Sequence, residues 1–398
     1  MGCWYERVRR RRLLPVILCF CAAVASDAHG QKQGVVTVPF ELSGNLIFLE
    51  VRVNDQAPPL WFILDTGASA SVIKEKHAQT LGLKLESNEK VMEGMPHAKG
   101  VELKLAGATL ANQTIFAAPT ESLEPSVGRA VDGILGFDIF HSFVVEIDYG
   151  ARQLKLFDPV DYRYQGRGES IPINVEDNTP FVSALVTQPE SNSAEGQFLI
   201  DTGASGALNV FRHFDEPHKF SSSLKRTLHS TGVGFSGKAQ TLTGRIKELR
   251  LGRLRINNLV ASFSQATVSS DEAGDGEIGG ELLRRFKVIV DAARKRLILE
   301  PNARFREPYE ASFTGASIAS EGADFKTFKV RSVFDDSPAA EAGLRAGDII
   351  TAVNGRPAAQ LTAEKMRQMF RLEGKRYILK IRRGEARLRI ILRTRRLI

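Results

Sequence analysis

Cysteine is almost missing from this chain: of 398 residues only Cys3, Cys19 and Cys21 carry a thiol, all near the N-terminus. The remainder can form no disulfide, thiol nucleophile or thiolate metal site, which leaves stability to core burial. A long apolar run is missing as well, since the stretch 13–25 falls short of the ~20 residues that cross a bilayer. Charge of one sign is scarce: 54 Lys and Arg face 46 Asp and Glu, and Arg7 and Arg9 to Arg12 against Glu6 supply half of the net +8. Beyond that cluster the chain is only mildly basic, which argues against a nucleic-acid partner. No H-E-x-x-H, G-x-S-x-G or P-loop pattern occurs. His213 and His218 flank Asp215 and Glu216, a set that reads as a solvated segment, so neither a metal nor a cofactor is expected.

What the N-terminus does have is an arginine cluster, then an apolar run ending in Ala23-Val24-Ala25 before Ser26. This predicts a cleaved secretory leader at 1–25, with no transmembrane segment left after cleavage. Leu18 and Phe20 precede Cys19 and Cys21 and are too bulky for lipoprotein processing, and Gly2 lacks the Ser or Thr of a myristoylation signal. With a thiol-free remainder, the expected location is the periplasm of a Gram-negative bacterium.

From residue 35 the chain reads as short β runs separated by turn signals, including Ser43-Gly44-Asn45, Asn54-Asp55 and Asp177-Asn178. A helix is predicted at 71–81, stopping at Gly82. The chain also repeats itself. Asp65-Thr66-Gly67-Ala68-Ser69 returns as Asp201-Thr202-Gly203-Ala204-Ser205, 136 residues on, each after an apolar strand. Asp132-Gly133-Ile134-Leu135-Gly136 is echoed 143 residues later by Asp275-Gly276-Glu277-Ile278-Gly279, and the stretch 143–148 likewise by 286–291. Two copies make a pseudo-twofold pair of lobes, at 35–160 and 168–301. A connector at 302–312 leads to a compositionally distinct third unit, 313–398.

Each copy delivers one carboxylate. Two carboxylates face to face form a general acid/base pair sharing one proton, because both cannot ionise at close range. Over roughly 35–300, the two Asp-Thr-Gly-Ala-Ser words and the downstream glycines Gly136 and Gly279 resemble the pepsin and retropepsin superfamily of aspartic proteases. Ala68 and Ala204, where pepsins carry Ser or Thr, make the likeness closer to the retropepsin branch. The resemblance implies a mainly β fold with two retropepsin-like barrel lobes. It further implies that Asp65 and Asp201 activate water, that Thr66 and Thr202 bond across the lobes, and that Gly67 and Gly203 admit close backbone approach. Ala68, Ser69, Ala204 and Ser205 complete the two supporting loops, with Gly136 and Gly279 behind them. Glu277 departs from the apolar-apolar-Gly pattern and puts the packing behind Asp201 in question.

The substrate implied is a polypeptide in extended conformation, held under a flap. Candidate tips are Gly94 and Met95 in lobe 1 and Gly232, Gly234 and Phe235 in lobe 2. The latter also fit G-x-G-x-x-G, but a strand-like stretch comes next where a nucleotide fold needs a helix. In the third unit, the run from Asp336 to Gly355 resembles the bacterial PDZ domain, an α+β module that binds a peptide or protein C-terminus by strand addition. Ser337 is the expected N-cap, Pro338 the first helical residue and Gly343 the C-cap. By that resemblance the groove lies between the strand 325–333 and the helix 362–370, lined by Phe325, Thr327, Phe328, Val330, Met366 and Met369, with the carboxylate loop at 315–322. The basic residues from Arg382 to Arg396 read as a solvated face.

Together these features point to a periplasmic aspartic endopeptidase, monomeric, with PDZ-mediated recruitment. Two alternatives stay open: a non-catalytic peptide-binding scaffold retaining the fold, and a homodimer with lobe-swapped active sites.

Overall fold

The computed structural model describes residues 35–55, 58–88, 94–188, 193–234, 237–265 and 274–398. The expected leader, its three cysteines and Phe235 lie outside them. The chain is mainly β, and its two internal repeats build matching sheets. In lobe 1 the strands run in the order Glu41–Ser43, Leu46–Val53, Leu60–Leu64, Gly133–Leu135, Val72–Lys74, Ala108–Ala118, His97–Leu105. In lobe 2 they run Asn174–Glu176, Thr179–Thr187, Ser193–Ile200, Gly276–Ile278, Leu208–Val210, Leu254–Ser264, Gly237–Leu251, with Leu228–Gly234 added at the edge. Each sheet curls back on itself, since Arg52 pairs with Lys104 and Val186 with Leu249. Curling lets the inward residues of every strand share one interior, which is the barrel solution to covering an apolar sheet face. Ile47, Leu49, Phe62, Leu64, Leu103 and Leu135 fill it in lobe 1, and Val182, Phe198, Ile200, Leu249, Leu259 and Ile278 in lobe 2.

The lobes join through a third sheet to which each contributes three strands, ordered Val36–Pro39, Gln153–Phe157, Val144–Asp148, then Phe286–Asp291, Arg296–Pro301, Glu169–Pro172. The two central strands are the sequence echoes of one another and pair antiparallel, Ile147 opposite Val288. The pseudo-twofold axis therefore passes between them.

Two local expectations need correction. The stretch 71–81 is not one helix: Val72–Lys74 is a buried strand and only Glu75–Thr80 is helical. Val72 and Ile73 are β-branched and wedged between two neighbouring strands, so sheet pairing outweighs the helical spacing. Gly82, at φ 66°, does end the helix.

The C-terminal domain has its own sheet, ordered Ala316–Glu321, Thr327–Val333, Ile349–Val353, Arg376–Arg383, Ala386–Arg393, and its own core. Ser337 caps Pro338–Glu341 by accepting from the Ala340 N–H at 3.2 Å, and Gly343 takes φ 77°. Thr362 caps the helix Ala363–Phe370 in the same way. Here the expected groove is the second correction. The strand Thr327–Val333 has a neighbour on both sides, so no peptide can add to it; the outer strand is Ala316–Glu321. Phe328, Val330 and Met366 are buried in the domain core, Met369 packs on it, Thr327 pairs with Glu321, and Phe325 sits in the preceding turn at φ 55°.

The space between that outer strand and the helix Ala363–Phe370 is occupied by lobe 1. The short helix Glu124–Val127 packs against the strand, and Gly128 lies so close to Ala363 and Ser320 that a Cβ there would stand 2.3 Å from the Ala363 methyl. Arg367 donates to the Ser126 and Val127 carbonyls, and Glu364 accepts from the Gly44 N–H at 3.2 Å.

Candidate active site

Asp65 follows the strand Leu60–Leu64 and Asp201 follows Ser193–Ile200. Each is pinned from below by the neighbouring parallel strand, the Asp65 N–H donating to Leu135 O and the Asp201 N–H to Ile278 O, both at 2.9 Å. The threonines interlock the two loops. Thr66 and Thr202 are fully buried, and each backbone N–H donates to the other's hydroxyl at 3.0 Å. The Thr202 hydroxyl then donates to Leu64 O at 2.8 Å and the Thr66 hydroxyl to Ile200 O. Four buried bonds thus fix one acid relative to the other.

The glycines are required by space. A Cβ on Gly203 would lie 2.3 Å from the Asp65 carboxyl carbon, and one on Gly67 2.9 Å from that of Asp201. Their N–H groups, with those of Ala68 and Ala204, support the acids: Gly67 and Ala68 donate to Asp65 Oδ1 at 2.8 and 3.2 Å, Gly203 and Ala204 to Asp201 Oδ1 at 2.7 and 3.0 Å. Gly136 and Gly279 press on the backs of the same loops, where a Cβ would meet Ala70 and Gly206 backbone atoms within 2.6 Å. All the sequence-predicted dyad and support residues are therefore brought together.

Electrostatics separates the two acids. Burial pushes Asp65 above the ordinary carboxylate range, opposed by hydrogen bonds from Asp201, Gly67 and Ala68. Asp201 stands well above that range through burial, the Asp65 charge and the Glu277 charge. Both acids are thus raised by burial, and the two titrate as a coupled pair.

Glu277 proves to be no packing fault. Ile278 and Ile200, both fully buried, fill the interior behind Asp201, while Glu277 points to the opposite, cleft-facing side. It accepts from Asn209 Nδ2 at 3.0 Å and reaches the Asp201 carboxyl. Its own pKa is raised by burial first.

Sequence reasoning missed two further symmetric devices. Asn45 Nδ2 donates to Ser205 O at 2.9 Å and Asn178 Nδ2 to Ser69 O at 3.3 Å, so a turn of each lobe clasps the acid loop of the other. The signal was present, because both asparagines sit in turns that need positive φ. The repeated Asp132 and Asp275 anchor strands, accepting from the Trp61 and Gln197 N–H groups and pairing with His77 and His213. His213 is thus engaged in the lobe, and no cluster able to hold a metal ion occurs among the described residues.

Of the flap candidates, Met95 packs on the cleft-side cluster of lobe 1, Val72, Phe116, Ala118 and Ile134, on the arm returning from Gly94 into the strand at His97. Gly232 and Gly234 belong to the strand Leu228–Gly234, which turns back into Gly237–Leu251. No helix comes after it, so the nucleotide pattern is a hairpin.

No curated protein matches the chain. Among solved structures, the crystal structure of an aspartic proteinase from Irpex lacteus is similar at 14% identity and a TM-score of 0.43, covering 69% of this chain and 99% of that one. Residues 49–139, which include Asp65, match the family model of the aspartyl proteases, and residues 329–383 that of the PDZ domain; the chain carries a domain of each kind.

Proposed function

We propose that the protein is an aspartic endopeptidase exported to the periplasm, in which Asp65 and Asp201 of one molecule activate water against a peptide bond. The observation that carries this is the interlocked, buried acid pair at the lobe junction. Asp65, ionised and supported by two N–H groups, takes a proton from the attacking water. Asp201 donates its proton to the scissile carbonyl oxygen as the tetrahedral diol forms. The C–N bond then breaks as Asp65 passes its proton to the leaving nitrogen and Asp201 recovers one from a diol hydroxyl; water is the nucleophile, so no covalent enzyme intermediate arises. The substrate lies extended across both lobes under the Met95 arm, and the PDZ domain recruits polypeptide. The basic-then-apolar stretch at 1–25 supports export.

The test is hydrolysis of a peptide library by the purified chain beside Asp65→Asn. Loss of about 10³-fold or more with an unchanged circular dichroism spectrum is expected. Undiminished cleavage by Asp65→Asn would remove the acid pair from the mechanism. Sedimentation of the active species checks that both acids come from one chain.

A further inference from the structure

The strand registers define a row of side chains across the cleft face of each lobe. In lobe 1, Ile134 lies opposite Val72, Val72 beside Phe116, and Phe116 opposite His97. In lobe 2 the same four places are held by Glu277, Asn209, Ser262 and Thr243. Directly paired residues share a face, so each row is one continuous surface. The lobe 1 row is closed, with Ile134, Val72, Phe116 and His97 at 5%, 8%, 5% and 1% exposure. All four residues of the lobe 2 row are partly open.

We propose that Glu277, Asn209, Ser262 and Thr243 form a subsite that receives a basic side chain, Lys or Arg, of the peptide next to the bond to be cut. This inference rests on the endopeptidase reading above.

Three observations support it. First, the change of character is concerted: an apolar cross-strand pair, Val72 and Ile134, is replaced by the hydrogen-bonded pair Asn209 and Glu277, and Phe116 by Ser262, which bonds to Thr243 at 3.2 Å. A single packing defect would not alter a whole row. Second, the surface is rich in acceptors. Asn209 spends its amide donor on Glu277, and its Oδ1 is buried with no partner, a state that costs free energy until a donor arrives. Third, Glu277 and Asp201 are within reach of each other, so the subsite adjoins the reacting carbonyl. Burial raises the Glu277 pKa, and an arriving ammonium or guanidinium would favour its ionised form.

The experiment uses the full chain and a library of fluorogenic peptides randomised around the cut bond. Wild type is expected to favour Lys or Arg over Leu at one fixed position by about tenfold or more in kcat/KM. Glu277→Ile, which copies Ile134, should invert that ratio, and Glu277→Gln, which keeps the shape, should abolish it. A wild-type ratio near one, or a ratio unmoved by both substitutions, overturns the subsite while leaving the endopeptidase intact. If wild type cleaves no peptide, the endopeptidase reading fails on its own account. The subsite is then decided by anisotropy of matched Lys and norleucine peptides on the Asp65→Asn chain, with and without Glu277→Gln: equal binding refutes it, and Lys preference lost with the carboxylate sustains it.

Discussion

The two lobes share a plan and differ in how they use one face of it. Lobe 1 packs its cleft face shut with Leu123, Met95 and the apolar row around Ile134. Lobe 2 leaves the equivalent face partly exposed and polar, with Glu277 beside its acid. Interiors are alike: Leu135 and Ile278 are both fully buried behind their acids. Duplication has therefore preserved what positions the carboxyls and released what surrounds them. The consequence is an acid pair in unequal surroundings, with the Glu277 charge among the causes that raise Asp201.

The comparison can be broken at the glycines. Gly203→Ala drives a methyl to 2.3 Å from the Asp65 carboxyl carbon, whereas Gly67→Ala reaches only 2.9 Å from that of Asp201. Both should reduce kcat/KM, Gly203→Ala by about 10²-fold and Gly67→Ala by less; equal losses would show that the two loops yield alike. The threonine interlock is next. Thr66→Val or Thr202→Val leaves a buried N–H without its acceptor and should cost about 1 to 3 kcal/mol in urea unfolding. The double variant should depart from the sum, because the two hydroxyls belong to one buried network.

A third prediction concerns pH. Asp201 is raised in the folded state, so between the ordinary carboxylate range near 3.8 and its own pKa the folded protein binds more proton than the unfolded chain. Stability at this site is then full at low pH and falls as pH rises through that window, by about 1.4 kcal/mol per unit at most. Asp201→Asn escapes this loss. It should melt above wild type at neutral pH and not at pH 3, and Asp65→Asn should gain less. Identical melting shifts for the two variants would cancel the asymmetry. The smallest effect is expected at the domain contact. Arg367→Ala removes the donor to the Ser126 and Val127 carbonyls and should cost about 1 kcal/mol or less in thermal unfolding of the whole chain.

Much of this plan is legible in the sequence because duplication writes it twice. The repeated Asp-Thr-Gly-Ala-Ser words, and the echoed strands Val144–Asp148 and Phe286–Asp291 that pair with each other, mark the dyad and the axis. Less legible is which face of a short strand meets the cleft. Glu277 reads as a flaw in a packing motif until parallel pairing with Leu199 turns it outward. The PDZ groove is misplaced for a related reason. Phe328 and Val330 look like a binding strand because they are apolar and alternate, yet alternation marks any half-buried strand, inner or outer. The true outer strand, Ala316–Glu321, is made mostly of small and polar residues around Ile318 and announces little.

The contact between Gly128 and Ala363 bears on what a ligand of the PDZ domain would do. A peptide adding to Ala316–Glu321 has to compete with a segment of its own chain, tethered at an effective concentration on the order of millimolar. Its apparent affinity is the intrinsic one scaled down by the fraction of molecules whose groove is vacated. Leu123, immediately before the occupying helix, packs on the cluster of Val72, Phe116, Ala118 and Ile134, as do Met95 and Ala68. A peptide that enters the groove therefore has to displace a helix whose preceding residue packs on the same apolar cluster as the Met95 arm.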